Sequence, residues 1–174
     1  MHHSSGSRAA VRTLDLPVEP ITSESFRPFG TLIEAVEDGR PFGAADAQLV
    51  LDRGTPRFYV MTLHRRPLTF RHITRHLCVT QCLASAGGEP WFIAVAPPDE
   101  PDNAQALPDP ARVRAFRIEG DQAIMLARGT WHAGPFLSAP SQAFFNLELA
   151  DTNQVDHHTT VLDEALGVAF RFDL

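Results

Sequence analysis

A chain of 174 residues with 44% hydrophobic content is long enough to bury one domain's core without disulfide support. Its formal net charge of −6 argues against nucleic acid or an anionic membrane surface as a partner. No apolar run approaches the roughly 18 residues of a membrane-spanning helix, and all 15 cationic residues are Arg, which closes any route through a lysine Schiff base.

The opening MHHSSGSRAAVR has no apolar stretch and does not read as a secretory signal. Residues 1–16 read as a flexible tail or tag remnant, which sets His2 and His3 aside, and residues 17–174 as a single domain. Thr22 can cap one helical turn that Gly30 ends. Thr31–Ile33 starts a strand, and residues 37–50 read as a loop. Strands follow at Phe58–His64, Cys78–Leu83 and Trp91–Ala96. A Pro/Asp-rich loop runs to Pro110. Further strands are expected at Val113–Ile118, Ala123–Leu126, Phe144–Leu149 and Val168–Phe172. Cys78 and Cys82, spaced unlike a CxxC pair, read as small apolar residues rather than a disulfide. Short strands, frequent turns and almost no helical periodicity predict an all-β barrel or sandwich with a few short helices.

Two segments bear chemistry. The first runs from Arg71 through His72, Arg75 and His76 to Gln81. The second, Ala127-Arg-Gly-Thr-Trp-His132-Ala-Gly-Pro135, reads as a Gly-rich turn after a strand. A barrel can bring such segments to one mouth, where imidazoles could bind a divalent metal or exchange protons near neutral pH. In one regular strand, His76 and Gln81 would face opposite sides, so a shared site requires a break between them. His64, His157, His158, Asp151 and Asp156 stay open as surface or site residues.

The second segment is similar to the late P-x-G-x-x-H turn of cupins, with Ala127 in place of Pro. The first half of that pattern is only partly matched, by His72, His76 and Gln81. Five pieces in order resemble the ureidoglycolate lyase family: Ile21–Gly30, Arg75-His76 with Gln81, Trp91–Ala96, Val113–Phe116, and Arg128 to His132. The stretch from Phe145 to His158 departs from the best-known members, so the chain reads as a divergent branch. The resemblance implies a cupin-like β-barrel, a cytoplasmic homodimer, nickel in some members, and cleavage of ureidoglycolate to glyoxylate and urea in allantoin and purine degradation. On that reading His76, His132 and Gln81 are the catalytic candidates. Arg75, Arg128 and Trp131 are the candidates for holding a small anionic ureido acid, because an Arg fork suits a carboxylate. His72, His76 and His132 are the candidate metal ligands. Two other readings remain open here: a cupin metalloenzyme, an isomerase or oxygenase acting on another small organic acid, and a non-enzymatic barrel that binds a small ligand.

Overall fold

The computed structural model describes residues 9–174. The tail or tag reading of residues 1–8, with His2 and His3, lies outside them. An eight-stranded sheet runs from edge to edge as β12 (His158–Val161), β5 (His72–Arg75), β10 (Trp131–Phe136), β7 (Trp91–Ala96), β8 (Arg114–Ile118), β1 (Arg12–Pro20), β13 (Val168–Asp173) and β4 (Thr69–Phe70). A five-stranded sheet runs as β2 (Gly30–Ile33), β9 (Ala123–Leu126), β6 (Gln81–Ser85), β11 (Ser141–Leu149) and β3 (Pro56–His64). The helices α1 (Ser23–Phe26), α2 (Thr152–Val155) and α3 (Leu162–Ala165) are single turns. The chain is thus all-β with short helices, as expected. Among the described residues no helix is long and apolar enough to cross a membrane.

The middle of the larger sheet is covered by apolar residues on both faces. Every residue of β7 is buried, because the strand lies between two cores. Ile93 and Val95 face the smaller sheet, with Leu83, Ile124 and Phe144. Phe92, Ala94 and Ala96 face the other way, against Phe136, Phe170 and Phe172. A strand covered on both sides loses the alternation of a half-solvated one and becomes a continuous apolar run.

Residues 12–16 are strand rather than tail. Leu14 and Leu16 pack on the second core, and β1 pairs in parallel with β13, from Arg12 opposite Val168 to Pro17 opposite Asp173. Pro17 and Pro20 disguise this strand in the sequence, since Pro is confined to edges and irregular positions of sheets. The expected capped turn forms: the Thr22 side chain accepts from the Ser25 N–H at 3.0 Å, and Ser25 Oγ accepts from the Thr22 N–H at 3.1 Å.

Gly30 marks a contact that no side chain can enter. A Cβ there would stand 1.8 Å from the Met125 carbonyl oxygen on β9. Gly30→Ala must therefore push β2 off β9. We expect it to cost about 3 kcal/mol and roughly 10 °C in Tm, read by scanning calorimetry.

Candidate active site

The two sheets part at one end around a cavity of about 340 Å³. Its floor comes from alternate residues of three strands, since every second side chain on a strand faces the same way. Tyr59, Met61 and Leu63 come from β3, Gln81 and Leu83 from β6, and Asn146 and Glu148 from β11. The opposite wall comes from His76 and His132, and Arg66, His64, Asn153 and His157 also line the space.

The break that a shared His76–Gln81 site requires is present. β5 ends at Arg75 in the larger sheet, and β6 begins at Gln81 in the smaller one. The chain crosses between sheets over residues 76–80, so both side chains reach the interior. His132 lies on β10 opposite Thr74 of β5, and the Gly129 N–H donates to the His76 carbonyl at 2.7 Å. The His76 and His132 rings are consequently 5.1 Å apart. The segment expected as a turn at Ala127–Pro135 becomes strand β10 from Trp131 onward.

Both imidazoles meet a backbone carbonyl through Nδ1. His76 Nδ1 lies 2.6 Å from the Asp156 backbone carbonyl, and His132 Nδ1 lies 3.2 Å from that of Thr130. A carbonyl can only accept, so each ring carries its proton on Nδ1 and leaves Nε2 as a free acceptor. Burial pushes the His132 pKa down to about 3, the neighbouring His76 pushes the same way, and the Thr130 carbonyl opposes. Burial also lowers the His76 pKa, opposed by its bond to the Asp156 carbonyl and by the Asp156 carboxylate. Both rings are neutral bases at neutral pH.

Gln81 is oriented by the floor. Its Nε2 donates to Asn146 Oδ1 and to Glu148 Oε2, each at 3.2 Å. Its Oε1 is buried without a partner, an arrangement that costs energy until a donor reaches it. Tyr59 Oη donates to Glu148 Oε1 at 3.1 Å, and Asn146 Nδ2 donates to Tyr59 Oη at 3.1 Å. Burial raises the Glu148 pKa, which the Tyr59 hydrogen bond and Arg57 oppose.

The other expected site residues lie elsewhere. Arg75 and Trp131 each precede a cavity histidine in sequence, so strand alternation points them to the opposite face. There the Arg75 guanidinium stacks over the Trp131 ring at 4.6 Å and donates to the carbonyls of Glu100 and Asn103 at 3.3 and 2.6 Å. Arg75 is fully buried and serves to hold the 97–110 loop. Arg128 is exposed and borders a separate hollow with Thr80 and Asp102. His72 is exposed in a groove with Thr69 and Arg71, whereas His76 is buried and lines the inter-sheet cavity. The expected His72–His76–His132 ligand set therefore does not form. Among the described residues no three His, Cys, Asp or Glu side chains are grouped to hold a metal ion.

Arg66 is a cavity cation that no sequence motif singles out. It lines the cavity, and its guanidinium lies 4.0 Å over the Phe136 ring. The residue is exposed at the cavity mouth, where it also borders the groove that holds His72, and partial burial lowers its pKa, though a guanidinium remains charged. Glu148, Asn146 and Tyr59 are likewise site residues that the motifs do not announce, and His157, left open by the sequence, lines the cavity with them. Two of them do carry a signal: Asn146 and Glu148 share strand parity with the core residue Phe144, and polar residues on an interior face need a reason.

The family model described as ureidoglycolate lyase matches residues 13–169. A ureidoglycolate lyase of Azotobacter vinelandii is 32% identical over 129 residues, covering 67% of this chain and 74% of that protein. One from Pseudomonas fluorescens is 30% identical over 175 residues, covering 88% of this chain and 96% of the relative. Among solved structures, a mutant oxalate decarboxylase of Bacillus subtilis gives a TM-score of 0.41 at 12% identity. That alignment covers 65% of this chain and 25% of the other, a likeness too slight to support any statement of function.

Proposed function

The chain belongs to the ureidoglycolate lyase family, and on that premise we propose that its inter-sheet cavity cleaves ureidoglycolate to glyoxylate and urea. The observation that carries this reading is the pairing of two neutral imidazoles, each with a free Nε2, with a guanidinium in one small cavity.

The substrate carries a carboxylate, a hydroxyl and a ureido nitrogen on one carbon. Arg66 holds the carboxylate. His76 Nε2 takes the hydroxyl proton as the C=O of glyoxylate forms and the C–N bond breaks. The resulting imidazolium returns that proton to the departing nitrogen, so urea leaves neutral and the site ends as it began. His76 fits this role better than His132, whose pKa of about 3 makes it a poor proton carrier. His132 instead offers its Nε2 as a fixed acceptor for a substrate O–H or N–H. The partnerless Gln81 Oε1 offers a second acceptor on the ureido side. No step here passes through a divalent ion.

The direct test is incubation of the purified protein with racemic ureidoglycolate. Glyoxylate and urea should appear together, well above the spontaneous rate. A rate equal to background, with and without added divalent metal, would remove the proposal.

The same reading includes a homodimer. The outer face of β3 and β11 carries Phe58 (68% exposed), Val60 (53%) and Phe145 (37%), with the two Phe rings stacked at 5.6 Å. β3 is also a sheet edge. A neutral apolar patch is the place where two chains of charge −6 can meet with least repulsion. Light scattering should give a dimer for the native chain and a monomer for the double variant Phe58→Glu, Phe145→Glu. A native monomer would contradict it.

A further inference from the structure

Asp156 grips His76 from two directions. Its backbone carbonyl accepts the His76 Nδ1 proton at 2.6 Å. Its carboxylate, in a residue 3% exposed, accepts from the Leu77 N–H through Oδ1 and from the Cys78 N–H through Oδ2, each at 2.8 Å. Those two peptide units follow His76 directly, where the chain leaves β5 to cross between the sheets. His158 Nε2 makes a third contact with Oδ1 at 3.1 Å. The residue between them, His157, stands with its ring 5.7 Å from that of His76.

A carbonyl in the link between α2 and β12 would not by itself hold an imidazole still. The carboxylate supplies what the carbonyl lacks, because it ties that link to the backbone on which His76 is mounted. Charge-assisted hydrogen bonds to two successive N–H groups are strong and directional. The carbonyl then selects the tautomer, and the carboxylate sets where the ring sits. We propose that Asp156 is a positioning residue for the reaction, holding the His76 ring in the tautomer and place from which Nε2 meets the substrate. This rests on the lyase reading, in which His76 moves the proton. Asp156 does not line the cavity and acts only through His76.

The test has two parts. In the native chain, nitrogen NMR of the imidazoles should show His76 as the Nδ1–H tautomer, with a ring proton that exchanges slowly. Finding the Nε2–H tautomer would overturn the proposal without any variant. The second part is Asp156→Asn, which keeps the shape and the backbone carbonyl but turns one acceptor into a donor facing a peptide N–H. Its kcat should fall roughly 10- to 100-fold while KM stays within about threefold, because misplacing a reacting group costs turnover and leaves the carboxylate clamp intact. The slow ring proton should broaden or vanish in that variant. Native kcat with an unchanged ring signal would overturn the proposal, and so would a fall in activity with the ring signal unchanged. If Asp156→Asn does not fold, the native tautomer still decides. A native protein that releases no glyoxylate would instead sink the lyase reading, and the ring signal would remain readable.

Discussion

Replacing His76 with Gln should lower kcat on ureidoglycolate by roughly 10²- to 10⁴-fold, the span usual for losing a general acid–base group. Gln can fill the space and still donate to the Asp156 carbonyl, so the loss should come without unfolding. The native pH profile should report the same group. His76 works as a neutral base, and burial lowers its pKa below the usual histidine value. Activity should therefore be full above that pKa and fall as pH drops through it, placing the acid limb below about 6.5. An acid limb above that value would assign the proton transfer to another group. Steady-state rates of glyoxylate release across pH, for native and variant chains, check both statements.

The second large effect concerns the carboxylate clamp. Arg66→Met keeps the stem against Phe136 and removes the charge. It should raise KM about 100-fold with kcat little changed, since charge-assisted hydrogen bonds contribute roughly 1.5–3 kcal/mol each and hold ground state and transition state alike. Arg128→Met is the matched control and should leave KM unaltered, because Arg128 borders a different hollow. Arg75→Met should act on stability, since Arg75 anchors the 97–110 loop through the carbonyls of Glu100 and Asn103. A KM that rises for Arg128→Met and holds for Arg66→Met would reverse the assignment.

Most strands are legible in the amino-acid sequence, because their side chains alternate or form short apolar runs, and Trp91–Ala96 and Ala123–Leu126 match residue for residue. β1 is not legible, because its partner β13 lies at the far end of the chain and its prolines resemble a loop. His76, Gln81 and His132 do share a cavity, and the break between β5 and β6 explains how. Arg75 and Trp131 suggest themselves as site residues by standing next to the two histidines, yet adjacency on a strand puts a side chain on the other face. Arg66 sits just past the end of β3, beside Arg65, and only the curl of the sheets distinguishes the two. The role of Asp156 depends on hydrogen bonds across some 80 residues of sequence, a separation at which no local pattern survives.

The most direct measurement is a crystal structure of the His76→Gln variant soaked with ureidoglycolate. The substrate should lie between the sheets, with its carboxylate on Arg66, its hydroxyl toward position 76, and its ureido group within reach of Gln81 Oε1. Substrate seated instead on Arg128, in the hollow with Thr80 and Asp102 and with the inter-sheet cavity vacant, would contradict the account.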